Sequence, residues 1–317
     1  MTPAVEPSVV PSTYLFCPGN RPDRYDKALR SGAPGIIIDL EDAVPEADKA
    51  SARRDAFAWL AGLGGVEALR GSAGASTASS ADGSSGIPGS DPVGSTRPTR
   101  PVVALRISSP TTPAGLEDLY AFVHAAPMPA LHTIVLPKVA DGTEVRLLAS
   151  QLLRAAPALR LMPLIETPEG VRAVAGIARS HPSVSCIGFG AADYCVEAGI
   201  AFAWEALSHV RSRLAFDCAG TGVGLLDVPF LDLADDAGLR QECGRVKALG
   251  FIGKLAIHPA QVASILQSFA PNPAEAAWAG RVVAGFEAAG RRACTVDGKM
   301  VDEPVYLQAL RITQRAV

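Results

Sequence analysis

Eight alternations of a short apolar run with a helical pattern dominate this sequence of 317 residues and constrain its fold most strongly. Continuous apolar runs are typical of strands that are buried on both faces of a parallel sheet. Strands are predicted at residues 14–17, 35–40, 102–107, 133–136, 161–165, 184–189, 222–226 and 253–257. Helices are predicted at residues 23–30, 46–60, 113–124, 143–155, from 168, 201–216, 235–249 and 259–269. Eight successive βα units predict a (β/α)8 TIM barrel with right-handed crossovers.

Two segments depart from this alternation. Residues of about 71–100 are dominated by Gly, Ser, Ala, Thr and Pro. Because such a segment has little apolar surface to bury, we predict a poorly ordered surface insertion, a tolerated loop rather than a targeting or regulatory element. After the barrel, predicted at residues 1–270, the chain continues as a C-terminal helical extension, residues 271–317. Its helices are predicted at 274–289 and 305–315, with the loop CTVDGKMVDEP between them.

Composition argues against several classes of protein, namely nucleic-acid binders, membrane proteins and secreted proteins. The formal net charge of −3 argues against a nucleic-acid binder, which would carry a clustered basic surface. No apolar run is long enough to span a bilayer, and the first residues, MTPAVEPSVVPSTY, lack the features of a secretory signal. The six cysteines are scattered without a CxxC pair, as expected of free buried thiols. We therefore expect a cytoplasmic protein with no membrane and no nucleic-acid partner.

Two carboxylates follow neighbouring strands in the stretch LMPLIETPEGVRAVAGIARSHPSVSCIGFGAADY. Glu166 ends one predicted strand and Asp193 lies just beyond the next. Since adjacent parallel strands point their carboxyl ends to the same edge, the two acids could share a hard divalent cation. The alternative is that Glu166 caps the helix after it and Asp193 sits in an ordinary turn. Spacing alone leaves both explanations open.

Other charged residues also lie at predicted strand ends, where TIM barrels build their active sites. Arg106 sits in an apolar strand and needs an anion, either a structural carboxylate such as Glu41 or a substrate carboxylate. Lys138 is equally compatible with a structural and a functional role, and His258 is expected to be structural or capping. The histidines show no zinc-ligand spacing, and neither a dinucleotide nor a Walker A motif is present.

At this point the motifs resemble those of a known family. YLFCPGNRPDR, IIIDLEDAV, VALRIS, IVLPKV, LIETPEG, FGAADY, GFIGKLAIHPAQV and GKMVDEP occur in the order seen in citrate lyase β-subunit-like proteins. These belong to the HpcH/HpaI aldolase superfamily, with malyl-CoA and citramalyl-CoA lyases. The resemblance runs from about residue 14 to about residue 310, interrupted by the low-complexity insertion.

The resemblance implies a TIM barrel that binds Mg²⁺, with Mn²⁺ as a substitute, through Glu166 and Asp193. It further implies that Arg106 contacts the substrate and that Glu41 and Asp42 lie beside the metal, holding its waters or Arg106. In related trimeric lyases, the aspartate that matches Asp302 reaches a neighbouring subunit's site, so we expect a homotrimer or hexamer whose residues 271–317 contribute to the oligomer and the active site. By spacing alone Asp302 would be a solvated turn residue.

The activity implied is that of a carbon–carbon lyase which cleaves a 3-hydroxyacyl-CoA thioester, of the citryl-, malyl- or citramalyl-CoA type, into a 2-oxo acid and an acyl-CoA. Arg106 would stabilise the enolate and Asp302 would transfer the proton at carbon. Lys138 and the loop with Gly19 and Arg21 are the further candidates for substrate binding, the loop through the CoA phosphates. The alternatives are malate-synthase-like condensation or malyl-CoA thioesterase activity on the same scaffold, and less favoured, a non-catalytic subunit.

Two positions depart from the family pattern. Ser108 stands where the family often has asparagine, two residues after the arginine. Ala192 stands before Asp193, where some CoA-lyase relatives carry glutamate. Both changes leave the predicted metal ligands intact but bear on the substrate contacts.

Overall fold

The computed structural model describes residues 10–73, 100–125 and 127–315. In this part of the chain, eight strands form one sheet in which each strand pairs in parallel with the next. They are β1 (Tyr14–Pro18), β2 (Gly35–Asp39), β3 (Val102–Arg106), β4 (Leu131–Leu136), β5 (Arg160–Ile165), β6 (Cys186–Phe189), β7 (Gly224–Asp227) and β8 (Gly253–Lys254).

Hydrogen bonds between the first strand and the residues after the last strand close the sheet into a barrel. The amide of Phe16 donates to the carbonyl of Ala256 at 2.8 Å, and the amide of Ala256 donates to the carbonyl of Tyr14 at 2.9 Å. The predicted TIM barrel is therefore confirmed.

Side chains from β1 to β7, together with one that follows β8, fill the interior. They alternate with outward-facing neighbours, as the period of two along a strand requires. The buried interior cluster consists of Tyr14, Ile37, Ala104, Val135, Met162, Leu164, Cys186, Leu226 and, just after β8, Leu255. Because these residues fill the centre, cavities lie towards the ends of the strands.

Helices alternate with the strands along the chain. They are α1 (Tyr25–Leu29), α2 (Lys49–Ala73), α3 (Pro113–His124), α4 (Gly142–Ala155), α5 (Pro168–Ala178), α6 (Ala191–Ala198), α7 (Trp204–Cys218), α8 (Asp236–Ala248) and α9 (Pro259–Phe269). Side chains of Thr112, Asp141, Thr167 and Asp235 cap α3, α4, α5 and α8 by accepting backbone N–H groups. None of the described helices is both long and apolar enough to cross a membrane.

Several predicted elements differ from the structure, among them the strand predicted at residues 253–257, of which β8 contains only Gly253–Lys254. The helix predicted at residues 23–30 is a 3-10 turn, Pro22–Arg24, followed by the short helix α1. Asp193 does not lie in an ordinary turn, which was one of its two predicted environments. It lies in the first turn of α6, and this helix is followed by Gly199 with a φ of 66°. Helix α2 continues to Ala73, into the start of the predicted insertion, and residues 74–99 lie outside the described residues.

A buried ion-pair network joins β7, β8 and the helices α7 and α8. Lys254 Nζ lies 2.6 Å from Asp227 Oδ2, and Arg211 Nε lies 2.8 Å from Asp227 Oδ1. Glu242 completes the network at 2.6 Å from Lys254 Nζ. Burial raises the pKa of Asp227, but Lys254 and Arg211 outweigh it and hold that pKa below its usual value. This network is not predicted by the sequence patterns described above.

Contacts divide the chain into two units, Met1–Ile265 and Leu266–Val317. The second unit contains α10 (Pro273–Ala288), β9 (Cys294–Val296), β10 (Lys299–Val301) and α11 (Glu303–Arg315). The predicted loop between the two terminal helices is thus a β-hairpin. Its turn is Asp297–Gly298, with φ of 52° and 74°, and an Asp-Gly pair is a hairpin signal that the sequence prediction missed.

Candidate active site at the carboxyl ends of the strands

Arg106 is held by a carboxylate that the sequence analysis did not identify. It ends β3 directly beside Asp39, the last residue of β2. Its Nε and Nη2 donate to the two Oδ atoms of Asp39, both at 2.6 Å. Burial disfavours the charged guanidinium, but Asp39 and the neighbouring acids keep the pKa of Arg106 above its usual value. Arg106 was predicted to need an anion. Its main anionic partner is Asp39, a structural carboxylate that follows a run of three isoleucines.

The acidic pair after β2 contacts the remaining side of Arg106 and also Lys138. Arg106 Nη1 lies 3.0 Å from Glu41 Oε2 and 3.2 Å from Asp42 Oδ2. Lys138 Nζ donates to Glu41 Oε1 at 2.8 Å and to Asp42 Oδ1 at 3.3 Å. Burial raises the pKa of Glu41 although both cations oppose the rise. Its Oε2 is buried in ion-pair contact but without a hydrogen bond.

Glu166 does not cap the helix that follows it, since Thr167 is the N-cap of α5. Instead its Oε2 accepts the backbone N–H of Lys138 at 2.8 Å. Lys138 adopts a φ of 52°, a conformation uncommon outside glycine, and such outliers concentrate at functional sites. Glu166 is 2% exposed. Burial, reinforced by Glu41 and Asp193, raises the pKa of Glu166 to about 8.

Gly190 leaves the space that the Glu166 carboxylate occupies. A Cβ atom on Gly190 would lie 2.3 Å from Glu166 Cγ and 2.4 Å from Oε1. The φ of Gly190 is −98°, which any residue adopts, so the requirement for glycine is steric. The GAAD segment therefore supplies both the acid Asp193 and the missing side chain that lets Glu166 approach. The steric role of this glycine is not evident from the motif alone.

The donor set fits a hard divalent cation. Four carboxylates (Asp39, Glu41, Asp42 and Glu166) form ion pairs with Arg106 or Lys138, and a fifth, that of Asp193, lines the same cavity as Glu166 and helps to raise its pKa. The excess of negative charge, the raised pKa of Glu166 and the buried Glu41 Oε2, which accepts no hydrogen bond, all indicate a place for added positive charge. Within the described residues, no group of three or more acidic, histidine or cysteine side chains could hold a metal ion. Two carboxylates suffice for Mg²⁺, which usually keeps several waters or substrate oxygens.

Lys49 and Ser108 hold the backbone of the loop that carries Glu41. Lys49 Nζ donates to the carbonyls of Leu40 and Glu41, both at 2.9 Å. Ser108 Oγ donates to the Leu40 carbonyl at 3.1 Å and lies 3.4 Å from Lys49 Nζ. Ser108 is 2% exposed and lines neither of the cavities described below. Ser108, which stands where the family often has asparagine, therefore contacts the loop that carries Glu41 and does not line a cavity.

Two cavities share a wall above the barrel. The first, which we call the acidic cavity, has a volume of about 420 Å³ and is lined by Arg106, Glu166, Asp193, Asp39 and Asp42 together with apolar residues. The second, the basic cavity, has a volume of about 480 Å³ and is lined by side chains that include Arg21, Arg24, Lys27 and Asp23. The residues common to both linings are Phe16, Pro18 and Ile257. Ala192, the second departure from the family pattern, lines the acidic cavity.

Of the two loop residues predicted to bind substrate, Gly19 and Arg21, only Arg21 lines one of the two cavities. Arg21 lines the basic cavity and forms an exposed ion pair with Asp23 at 2.8 Å. Gly19 lines neither cavity, and a Cβ atom there would lie 2.6 Å from the Asp39 carbonyl. Glycine is therefore required at this position for close packing of β1 and β2.

His258 and Asp302 both accept N–H groups at helix starts. His258 is exposed, and its Nδ1 accepts the amide of Ala260 at 3.2 Å. Asp302 belongs to the second unit, where its Oδ1 accepts the amide of Val305 at 3.3 Å at the start of α11. A catalytic role of Asp302 in a neighbouring subunit's site stays a prediction.

Several known proteins are similar to this chain over almost its whole length. A citrate lyase subunit beta-like protein of Mycobacterium tuberculosis is 31% identical over 310 residues, covering 96% of this chain and 94% of the relative. An L-malyl-CoA/beta-methylmalyl-CoA lyase of Cereibacter sphaeroides is 28% identical, covering 95% and 93%. A (3S)-malyl-CoA thioesterase of the same species is 30% identical over 296 residues, covering 92% and 89%.

A solved structure and a family match agree with these relatives. The crystal structure of CitE from M. tuberculosis in complex with magnesium, acetoacetate and coenzyme A has a TM-score of 0.70 and 28% identity, covering 97% of this chain and 98% of that one. Residues 12–70 and 96–259 match the family described as HpcH/HpaI aldolase/citrate lyase. The expected enzyme class, a lyase, is confirmed by these relatives. The match covers more than half of the 317 residues, so the chain belongs to the HpcH/HpaI aldolase/citrate lyase family.

Proposed function

We propose that this chain cleaves a carbon–carbon bond in a 3-hydroxyacyl-CoA thioester, of the citryl-, malyl- or citramalyl-CoA type, with Mg²⁺ bound by Glu166 and Asp193. The products are a 2-oxo acid and an acyl-CoA. The observation that carries the proposal is the acidic cavity, in which Glu166 is positioned by Lys138 and Gly190 and which shares a wall with the basic cavity. The magnesium, acetoacetate and coenzyme A in the M. tuberculosis CitE structure support it.

Glu166 and Asp193 would hold Mg²⁺, or Mn²⁺ in its place, because carboxylate oxygens are the preferred ligands of hard cations. When bound, the ion supplies a Lewis acid and a template for the carboxylate and hydroxyl oxygens of the substrate. Gly190 and the Lys138 amide keep the Glu166 carboxylate in one orientation, so little reorganisation is needed when the cation arrives.

The reaction requires that the 3-hydroxyl loses its proton, that the electron pair of the cleaved bond enters the thioester enolate, and that the α-carbon gains a proton. Arg106 places fixed positive charge in the cavity for the developing enolate oxygen. Asp39 orients the guanidinium through two hydrogen bonds, which leaves Nη1 directed to Glu41 and Asp42. Asp302, supplied by a neighbouring subunit, is the proposed donor of the proton to carbon.

The basic cavity is the proposed site for the CoA portion. Its lining contains the cationic side chains of Arg21, Arg24 and Lys27 and one carboxylate, that of Asp23. Phosphates are recognised by such cations, and Arg in particular binds them through paired N–H donors. A thioester that passes the shared wall at Phe16 and Ile257 would place its phosphates in the basic cavity and its acyl group in the acidic cavity.

The substitution Asp193→Asn tests the proposal. It removes one of the two proposed metal ligands, so Mg²⁺-dependent release of a 2-oxo acid from citryl-, malyl- and citramalyl-CoA should be abolished. Asp55→Asn, at an exposed position on α2, is the control and should retain activity and Mg²⁺ binding measured by calorimetry. Full activity of the Asp193→Asn variant would exclude the proposed metal site.

Two other activities would use the same residues. Hydrolysis of malyl-CoA is suggested by the (3S)-malyl-CoA thioesterase that is 30% identical to this chain. Malate-synthase-like condensation is the second alternative. Product analysis separates them: thioester hydrolysis releases a hydroxy acid and free CoA, and condensation consumes both acetyl-CoA and glyoxylate. A chain that binds neither Mg²⁺ nor a CoA ester would instead be a non-catalytic subunit.

A further inference from the structure

Lys49 occupies an unusual position for a cation. It is the first residue of α2, and no acidic residue lies in the first turn of that helix. A cation is disfavoured at a helix N-terminus, because the helix dipole places partial positive charge there. The side chain of Lys49 is partly buried and lines neither the acidic nor the basic cavity. A local rule that is broken in this way points to a compensating contact elsewhere.

The compensating contacts are made to oxygens of the backbone and of a hydroxyl group. Lys49 Nζ donates to the carbonyl oxygens of Glu41 and Leu40, eight and nine positions earlier in the chain, both at 2.9 Å. It also lies 3.4 Å from Ser108 Oγ. These acceptors are neutral, so the ammonium fixes the course of the backbone instead of neutralising a carboxylate. All of them belong to the unit Met1–Ile265 of one chain, so the contacts do not depend on a neighbouring subunit.

The carbonyl of Leu40 connects this contact to the end of β3. It also accepts Ser108 Oγ at 3.1 Å, and the amide of Leu40 donates to the carbonyl of Arg106 at 2.9 Å. Ser108 is itself held from α3, since its amide donates to Asp118 Oδ2 at 2.8 Å. Lys49 therefore holds the backbone that follows β2 at the place where it is hydrogen-bonded to the segment that carries Arg106.

Glu41 is the residue through which the backbone contact reaches the site. Its carbonyl accepts Lys49 Nζ, while its carboxylate contacts Arg106 Nη1 at 3.0 Å and Lys138 Nζ at 2.8 Å. The residue is 6% exposed, so little water can replace these contacts if they loosen. A displaced Glu41 would deprive both cations of one of their anions, and Arg106 is the group proposed to meet the enolate oxygen.

From these contacts we infer that Lys49 is a positioning residue for the proposed cleavage reaction. Its ammonium fixes the peptide between Leu40 and Glu41. Through this peptide it sets the place of the Glu41 carboxylate, and with it the direction of Arg106 Nη1 and Lys138 Nζ. Lys49 acts through Glu41 and lies outside both cavities. The inference rests on the proposed lyase function and adds to it a residue that does not line the site.

The binding of metal and thioester should depend little on Lys49. Glu166 is oriented by the amide of Lys138 and by the space at Gly190, and neither contact involves Lys49. The CoA portion would bind in the basic cavity, which Lys49 does not line. Loss of the ammonium should therefore lower kcat and leave KM and Mg²⁺ affinity nearly unchanged, whereas a general loosening of the fold would weaken Mg²⁺ and thioester binding as well.

The substitution Lys49→Met tests the inference, because it keeps the apolar stem of the side chain and removes the ammonium. The assay uses the full-length protein, Mg²⁺ and whichever of malyl-, citramalyl- or citryl-CoA the unsubstituted protein cleaves. We expect kcat to fall by about 10- to 100-fold, with KM and the Mg²⁺ Kd from calorimetry changed by less than about threefold. Lys49→Arg keeps N–H donors for the carbonyl oxygens and should recover most of the loss. Arg54→Met removes an exposed cation from the same helix and, as the control, should keep kcat and KM.

Ser108→Ala is a second, milder variant that removes one donor to the Leu40 carbonyl without removing a charge. It should lower kcat by a smaller factor, and it decides the question if circular dichroism shows that Lys49→Met does not fold. An unchanged kcat in the folded variants, a rise in KM instead, or Mg²⁺ binding weakened as much as kcat would overturn the inference and leave the lyase function standing. If the unsubstituted protein cleaves none of the three thioesters, the lyase function itself is overturned.

Discussion

The substitution Gly190→Ala should displace the carboxylate of Glu166, a proposed metal ligand, without removing any ionisable group from the site. The added methyl carbon would lie 2.3 Å from Glu166 Cγ, 2.4 Å from Oε1 and 2.8 Å from Cδ. Relief of these contacts requires a displacement of about 1 Å, and a misplacement of this size typically costs about 100-fold in rate. Glu166 cannot yield freely because it is 2% exposed and accepts the Lys138 amide at 2.8 Å.

The effect on folding should be smaller than the effect on the site. Overpacking of a filled space costs about 1–3 kcal/mol, and the substitution adds no backbone strain at a φ of −98°. We expect urea unfolding to show a free energy of unfolding lowered within this range. Mg²⁺ affinity, measured by calorimetry, should fall by about 10- to 100-fold, and kcat/KM for the cleaved thioester should fall by about 100-fold.

Gly176→Ala is the matched control for this experiment. Gly176 lies in α5, and a Cβ atom there would meet nothing within 4 Å. This variant should keep Mg²⁺ affinity and activity and should be stabilised by up to about 1 kcal/mol through helix propensity. If Gly190→Ala binds Mg²⁺ and turns over like the unsubstituted protein, the close approach of residue 190 does not position Glu166, and the reasoning is refuted.

Three further predictions concern Asp39, Asp302 and Asp227. Asp39→Asn should lower kcat/KM by about 100-fold with little change in Mg²⁺ affinity, because the guanidinium of Arg106 loses its orientation, as does the loop whose Glu41 amide donates to Asp39 at 2.9 Å; equal losses of both quantities would contradict a role confined to Arg106 and this loop. Inactive Asp302→Asn and Asp193→Asn proteins, refolded together, should regain part of the activity if Asp302 acts in a neighbouring subunit, and no recovery in mixed oligomers would exclude that role. Acid should weaken the buried Asp227 network, because the pKa of Asp227 in the folded protein is lowered from 3.8. The contribution of Asp227 to the free energy of unfolding is present above pH 3.8 and is lost as the pH falls below 3.8. Urea titrations between pH 6 and about pH 3 would detect the loss, and Lys254→Met, which should cost about 3 kcal/mol at neutral pH, should flatten it.

The barrel could be predicted from local patterns because each βα unit carries its own signals. Apolar runs such as GIIIDL mark strands that are buried on both faces, and Thr-Pro pairs mark the starts of α3 and α5. The predictions for α6 and for the β9–β10 segment were wrong, because the local sequence signals there are weak or ambiguous. Helix α6 has eight residues and follows its strand directly, and the β9–β10 hairpin lies in a segment predicted to be a loop although an Asp-Gly turn joins its strands.

The sequence by itself determined which residues lie at the carboxyl ends of the strands, because the end of a strand is encoded by the residues of that strand. Arg106, Glu41, Asp42, Lys138 and Glu166 were placed in this way. Only the tertiary structure decided their partners, because contacts across strands depend on register and on side-chain direction. It paired Arg106 with Asp39, a residue 67 positions away in the chain, and it directed the Lys138 amide to Glu166. It also revealed that residue 190 must lack a side chain, since the space it leaves is occupied by a residue of the neighbouring strand end.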